Sequence, residues 1–309
     1  MMPVFDATLC GLILAVALAA VAGRDVFRAI VFFIVYGLML AVAWVRLGAL
    51  DVALAEAAIS GGLTAGLFLV AYGRLAAVGA ADEPAGLLNP PAALAGCGLS
   101  AALGWAWFAL PQPDRPAPQL AEALPRSGVE NPVTAVLLNF RAWDTLLESV
   151  VLLTALIGVL MLARVGAWPG RPGLAQHVRP GGVMAGFGRV LPPVGLLVGV
   201  YLVYVGAERP GGAFQGGTVI AAVGLVATLT GAFRPPAVDA PGWRAALVAG
   251  PLLFLLWGLA GAVIGNGFLT FPPTLAGAAI LAIEAALAVS IAVTLAVLVL
   301  GAPEQAARE

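Results

Sequence analysis

The stretch LAGAAILAIEAALAVSIAVTLAVLVL, residues 275–300, contains a single charge, Glu284. A helix that crosses the hydrocarbon core of a bilayer needs about 20 mostly apolar residues, so this stretch is long enough to span a membrane. Similar runs, separated by Pro, Gly or Arg, recur along the chain. We predict nine transmembrane helices, at residues 4–22, 28–46, 50–72, 91–110, 133–163, 188–206, 214–233, 243–264 and 276–301. The predicted fold is an all-α polytopic membrane protein.

The composition agrees with this fold. Of 309 residues, 61% are hydrophobic and 10% are charged, and the mean hydropathy is +1.02. These values exclude an ordinary soluble globular domain. The chain has no Lys and nearly balanced charges, so nothing indicates nucleic-acid binding. Cys10 and Cys97 lie in apolar segments without CxxC spacing. This spacing supports neither a disulfide framework nor an iron–sulfur or zinc site. We also expect no cofactor and no catalytic residue.

The distribution of Arg predicts the orientation, because positive residues are retained in the cytoplasm. One side of the nine-helix arrangement carries ten Arg residues: Arg24, Arg28, Arg74, Arg164, Arg171, Arg179, Arg189, Arg234, Arg244 and Arg308. The other side carries five: Arg46, Arg115, Arg126, Arg141 and Arg209. This asymmetry predicts an external N-terminus and a cytoplasmic C-terminus.

Carboxylates within membrane helices are candidates for function, because an ionisable side chain is costly there. The third predicted helix carries Asp51 near its start and Glu56 deeper, before a break at Gly61 and Gly62. Asp51 either caps the helix or takes part in function. Glu56 either lines an ion or proton path or pairs structurally.

The fifth predicted helix places Arg141, Asp144 and Glu148 three and four residues apart, so all three share one helical face. Arg141 and Asp144 form either a salt-bridged stripe at the membrane surface or part of a functional site. Glu148 lies deeper, where a carboxylate near an Arg suits a proton or sodium relay. The whole segment is too long for one straight span, so its start is predicted to be interfacial or tilted.

The last predicted helix offers Glu284, which either takes part in function or makes one buried hydrogen bond. His177 lies in a polar loop at residues 166–186, where a solvated histidine is expected. In the segment around Gln215, the glutamine and the amides at the helix start are further candidates for holding an ion or water. Two groups of glycines are predicted to permit close helix packing or local unwinding. These are Gly61, Gly62, Gly211, Gly212, Gly216 and Gly217.

Three stretches carry a resemblance to subunits of Mrp-type multisubunit cation/proton antiporters and of membrane-bound hydrogenases, which are related to the membrane arm of respiratory complex I. ALDVALAEAAISGGL, residues 49–63, resembles the D-type hydrogenase subunit and the matching part of the antiporter A subunit. The family pattern A-P-D-x-A-x-T-E places Asp51 and Glu56. PGGAFQGG, residues 210–217, resembles the B subunit.

The third stretch, NPVTAVLLNFRAWDTLLESVVLLTALIGVL at residues 131–160, resembles the E-type element that follows the D-type one. Its pattern places Arg141, Asp144 and Glu148. The resemblance implies a fusion in the order D, E, B. Its expected elements are residues 1–90 with about three helices, 91–170 with about two, and 171–309 with about four.

The chain departs from the family patterns at three positions. Leu50 stands in place of the usual Pro, Ala55 in place of Thr and Ala213 in place of Gly. The large antiporter-like body that precedes the D and E elements in A subunits is absent. A chain without Lys does not supply the membrane Lys relay of that body.

The resemblance implies a multi-pass subunit of the plasma (inner) membrane that contributes carboxylates to the ion path of an Mrp-like Na⁺/proton antiporter or a related complex. Its expected partners are other membrane subunits, including large antiporter-like ones, the lipid bilayer, protons and Na⁺. Two alternatives remain open. One is a structural scaffold that joins antiporter-like partners without carrying ions; the other is a freestanding transporter, for which inverted repeats are expected.

Overall fold

The computed structural model describes residues 2–22, 25–79, 90–110, 118–162, 170–173, 182–264 and 267–301. Within these ranges the regular structure is helical, which confirms the predicted all-α fold. The α-helices are α1 Met2–Ala22, α2 Val26–Arg46, α3 Leu50–Ala58, α4 Thr64–Ala77, α5 Pro90–Ala109, α6 Pro118–Ala123, α7 Pro132–Ala135, α8 Ala142–Met161, α9 Val183–Val205, α10 Ala213–Leu229, α11 Pro241–Ile264 and α12 Ala276–Leu300.

Eight spans in the described ranges are long and apolar enough to cross a membrane. Helices α3 and α4 form one of them, Leu50–Ala77, because the π-helical turn Ile59–Leu63 joins them without a break. The predicted helix at 214–233 is shorter than expected. It is α10, whose 17 residues end at Leu229 because Gly231 adopts a left-handed backbone, with φ of 71°. At 1.5 Å per residue, α10 extends about 25 Å, less than a typical hydrocarbon core.

The predicted helix at 133–163 is divided into two pieces. Helix α7 continues into the π-helical turn Val136–Phe140, and the helical path is then interrupted at Arg141, where φ is −126° and ψ is 37°. The hydroxyl of Thr145 donates a hydrogen bond of 2.7 Å to the carbonyl of Leu137, which satisfies a backbone group freed by the break. The straight span is therefore α8 alone.

Helix α12 lies at the centre of the packing. It contacts α10, α11 and α8 over much of its length, and 67% of its most apolar stretch is buried. Ile280, Ile283 and Leu287 are each no more than 2% exposed. A helix that is apolar all round is expected to be enclosed by other helices, and α12 meets this expectation without any lipid or partner.

The N-terminal helices and α5 are more peripheral. Arg46 near the end of α2 donates hydrogen bonds of 2.8 and 3.0 Å to the Asp6 carboxylate on α1, which ties these two helices together. Helix α5 has no buried residue, and its Trp105 and Trp107 are 75% and 70% exposed. Its apolar surface therefore remains available to lipid or to other subunits.

The predicted orientation stays a prediction. Five of the Arg residues on which it depends lie outside the described residues: Arg24, Arg115, Arg164, Arg179 and Arg308. His177 and most of the loop at 166–186 also lie outside them.

Close packing of α10 against α9 leads to a testable prediction about Gly216. A Cβ atom at this position would lie 2.6 Å from the carbonyl oxygen of Gly199, a backbone atom that cannot rotate away. We expect Gly216→Ala to destabilise the protein by about 1–3 kcal/mol, as for other overpacked cores. The midpoint of thermal unfolding of the detergent-solubilised protein would measure the effect.

Gly224→Ala is the matched control on the same helix, because a Cβ atom there meets nothing within 4 Å. Alanine favours a helix over glycine by about 1 kcal/mol, so the control should be neutral or stabilising. Equal behaviour of the two variants would contradict the packing described for Gly216.

Candidate functional site

One cavity brings together carboxylates from the three sequence elements. It has a volume of about 430 Å³ and lies among α3, the α7–α8 segment, the start of α10, and α12. Asp51, Glu148 and Glu284 all line it, together with Gln215. These residues are spread over more than 230 positions of sequence, so the cavity is a product of the tertiary fold.

Asp51 is held firmly at one wall of this cavity. Its carboxylate oxygen Oδ1 accepts hydrogen bonds from the backbone amide of Gly211 at 3.1 Å and from Nδ2 of Asn131 at 3.3 Å. Its backbone carbonyl accepts a hydrogen bond of 3.2 Å from Nε2 of Gln215. Asp51 therefore joins the third helix to the loop before α10, which goes beyond the capping role considered from the sequence.

Asn131 completes this junction. Besides Asp51, its Nδ2 lies within hydrogen-bond distance of the carbonyl oxygens of Gly206 at 3.2 Å and Arg209 at 3.0 Å, so its two hydrogens are shared among three acceptors. Its Oδ1 caps α7 by accepting a hydrogen bond from the amide of Val133 at 2.9 Å. The residue is only 4% exposed, so these groups have little access to water. We call the contacts among Asp51, Asn131 and the 206–211 loop the polar junction.

Sequence reasoning did not select Asn131 as a functional residue. A signal was present in its position directly before Pro132, since Asn is a favoured helix N-cap and Pro a favoured first helical residue. That signal predicts the start of α7. It does not predict that the same amide reaches two other segments of the chain.

Glu284 forms the buried end of the cavity. It is the ninth residue of α12 and is 2% exposed. The backbone amide of Ala213, at the start of α10, lies near its carboxylate. Its oxygen Oε2 has no hydrogen-bond partner among the described residues. The single buried hydrogen bond considered from the sequence therefore does not account for both oxygens of this carboxylate.

Glu148 lines the cavity from α8. It is the seventh residue of α8, beyond the break at Arg141. Glu148 is an exposed residue, and its neighbour Val151 on the same wall is 66% exposed. The cavity therefore extends from the outer face of α8 inward to Glu284.

The other predicted ion-path residues lie outside the cavity lining. The Glu56 carboxylate accepts a hydrogen bond of 2.5 Å from the hydroxyl of Ser60, within the π-helical turn. Arg141 and Asp144 form a salt bridge of 2.6 Å with side chains 70% and 49% exposed. This geometry matches the surface stripe that was one of the two interpretations from the sequence.

The predicted glycines have different surroundings. Gly212 has φ of 115°, a conformation that favours glycine, and Gly211 lies so close to α9 that a Cβ atom would be 2.5 Å from the carbonyl oxygen of Leu202. Close contacts also surround Gly61, Gly216 and Gly217. Gly62 faces open space, so no packing contact explains it.

The described part of the chain contains no group of three or more His, Cys, Asp or Glu residues suited to hold a metal ion. Cys10 and Cys97 are both exposed and free of a disulfide.

The polar junction gives a second testable prediction. Asn131→Ala removes the donor to Asp51, Gly206 and Arg209 and leaves buried acceptors unpaired, so we expect a loss of about 1–3 kcal/mol of stability. The detergent-solubilised variant should unfold at a lower temperature. Gln119→Ala on α6 serves as a control, because Gln119 is exposed. If both variants unfold at the wild-type temperature, the junction does not hold the fold together.

Two segments of the chain match family models. Residues 11–77 match MbhD, the model for the D-type subunit of MBH. Residues 183–302 match MnhB, described as a domain related to the MnhB subunit of Na⁺/H⁺ antiporter. The first segment contains Asp51 and Glu56, and the second contains Gln215 and Glu284. No curated protein matches the chain.

Two solved structures contain similar chains. One is the Mrp complex from Dietzia sp. DQ12-45-1b, with a TM-score of 0.72 and 23% identity over 98% of this chain and 35% of that chain. This chain thus spans about a third of the length of that relative, and the likeness is one of fold. The other is the membrane-bound sulfane sulfur reductase (MBS), an archaeal respiratory membrane complex. It has a TM-score of 0.54 and 25% identity over 68% of this chain and 94% of that chain.

The resemblance noted in the sequence is confirmed for the D-type and B-type elements. The helices, the two family models and the shared fold place the protein in the plasma membrane as a multi-pass protein. In this multi-pass membrane protein, a D-type element of the MBH family and a B-type element related to the MnhB subunit are fused in one chain.

Proposed function

We propose that this subunit contributes intramembrane carboxylates to the ion path of a multisubunit Mrp-like cation/proton antiporter or a related ion-translocating complex. The observation that supports this function is the single cavity lined by Asp51, Glu148 and Glu284. Carboxylates are costly inside a membrane and mark ion or proton paths when they face a shared cavity. Helix packing alone does not require three carboxylates around one cavity.

The carboxylates have different roles in this proposal. Glu148, on the outer face of α8, exchanges the ion with the surroundings of the subunit, and Glu284 receives it at the buried end. Asp51 is a positioning residue, because its side chain is engaged by Gly211 and Asn131. Glu56, Arg141 and Asp144 tune or gate the path from outside the cavity lining.

The proposal includes the assembly of the complex. The E-type element, with residues 91–170 as its range, lies between the two matched segments and supplies Asn131 and Glu148. The exposed apolar surface of α5 and the outer face of α8 contact other membrane subunits, including large antiporter-like ones. The chain does not catalyse a reaction by itself, and its transported ions are protons and Na⁺.

A structural scaffold is the competing function. The polar junction favours it, because Asp51 and Asn131 bind the three elements together by hydrogen bonds that need no ion. A scaffold explains the junction. It does not explain why Glu148 and Glu284 face the same cavity without a salt-bridge partner among the described residues.

A third prediction distinguishes these functions. Glu148→Gln and Glu284→Gln keep the shape of each side chain and remove its charge. We expect each to lower ion transport by about tenfold or more in proteoliposomes that contain the intact complex, equivalent to a barrier higher by about 1.4 kcal/mol. Native gels would establish that each variant assembles as well as the wild type.

Asp144→Asn is the matched control, because it neutralises a carboxylate on the same helix that lies outside the cavity. It should lower transport less than Glu148→Gln does. Full transport by both cavity variants in assembled complexes would exclude the ion-path role and leave the scaffold.

A further inference from the structure

Two oxygen atoms converge beside Gly212. A Cβ atom at this position would lie 3.0 Å from Oε1 of Glu284 and 3.5 Å from Oε1 of Gln215. The glycine has no side chain, so the space between these two acceptors stays open. Two acceptors that face one small space repel each other unless a cation or a hydrogen-bond donor lies between them.

The orientation of Gln215 is set by the polar junction. Its Nε2 donates a hydrogen bond of 3.2 Å to the backbone carbonyl of Asp51, which directs the amide nitrogen away from Gly212. The amide oxygen is left on the Gly212 side. Within the described residues, no hydrogen bond is donated to this oxygen, so the glutamine presents a free acceptor to the space.

The carboxylate of Glu284 has one oxygen, Oε1, beside Gly212 and a second, Oε2, that has no hydrogen-bond partner among the described residues. The residue is only 2% exposed, and it lines the same 430 Å³ cavity as Gln215. Because a buried carboxylate oxygen without a partner is rare in folded proteins, this carboxylate is suited to bind an ion or to carry a proton.

We propose that Glu284 and Gln215 form a binding site for a small monovalent cation, with Glu284 as the charged ligand and Gln215 as the neutral one. Carboxylate and amide oxygens are hard ligands that suit Na⁺, and a proton carried on the carboxylate or on a water satisfies the same acceptors. Gly212 provides the room that any side chain would fill. This inference rests on the proposed function, and it locates the ion at the buried end of the path.

The site is tested in proteoliposomes with the intact complex carrying Gln215→Leu. Transport is measured against NaCl concentration at fixed pH, with choline chloride keeping the ionic strength constant, and then against pH at fixed NaCl. If Na⁺ occupies the site, the NaCl concentration for half-maximal transport should rise about tenfold while the maximal rate is retained. If a proton occupies it, the NaCl dependence should stay unchanged and the pH for half-maximal transport should shift by about one unit.

Thr228→Val is the matched control, because Thr228 is a buried polar residue on the same helix whose hydroxyl donates to Gly224 outside the cavity. This control variant should leave the dependence of transport on NaCl concentration and on pH unchanged. Gln215→Asn is the second variant if Gln215→Leu assembles poorly. It keeps the amide and shortens the side chain by one methylene, so its oxygen no longer reaches the space and the same shifts are expected.

Two results would exclude the cation site, and only the second would also exclude the proposed ion path. Unchanged NaCl and pH dependences in Gln215→Leu and Gln215→Asn, with transport lost in Glu284→Gln, would exclude the cation site and keep the proposed ion path. Wild-type transport in assembled Glu284→Gln and Glu148→Gln complexes would exclude the ion path and the cation site with it.

Discussion

The amide of Asn131 is the contact on which the arrangement of this protein depends. One NH₂ group lies within hydrogen-bond distance of oxygen atoms of Asp51, Gly206 and Arg209, which belong to two other segments of the chain. The backbone amides of Glu130 and Asn131 add two hydrogen bonds of 2.9 Å to the carbonyl of Ala207. Buried backbone groups of a loop must find hydrogen-bond partners within the protein, because water does not reach them. The 206–211 loop meets that requirement through Asn131 and Asp51, and the start of α10 is fixed as a result.

The position of α10 then determines the cavity. Its first residues bring Ala213 to the Glu284 carboxylate and Gln215 to the Asp51 carbonyl. The break at Arg141 has a parallel effect on the other wall, since it sets the start of α8 and hence the depth of Glu148. The start of α10 therefore lies against both Asp51 and Glu284, and the start of α8 sets the position of Glu148.

The sequence predicts the membrane helices well, because a run of about 20 apolar residues has few alternatives to a span. It also selects Asp51, Glu148 and Glu284, because a charge within such a run is costly. It does not predict which charges meet. Asp51 and Glu56 are five residues apart, which is about 140° around a helix, so they face different neighbours. The angle between Asp51 and Glu56 around the helix can be read from the sequence. The helix that each of the two residues contacts depends on tertiary packing.

Helical periodicity also does not predict which residue of one helical face lines the cavity, because that depends on the position of the residue along the helix. Asp144 and Glu148 are four residues apart and share a helical face, yet only Glu148 lines the cavity. Asp144 lies in the first turn of α8, next to the exposed Arg141 with which it pairs. One helical turn, about 5.4 Å, separates a surface ion pair from a cavity wall. Asn131 was missed for a related reason: an uncharged residue at a helix start gives no sign of contacts with loops about 80 residues away.

The fusion of D-type and B-type elements in one chain bears directly on the polar junction. Its hydrogen bonds join two neutral groups or one neutral and one charged group, and each contributes about 1 kcal/mol to stability. Between separate chains, such contacts must also offset the loss of translational and rotational freedom on association. Within one chain this cost is reduced, because the linker keeps the elements at a high effective concentration. A few hydrogen bonds are then enough to fix the D-type helix against the B-type loop, and the cavity between them keeps the same walls whenever the chain is folded.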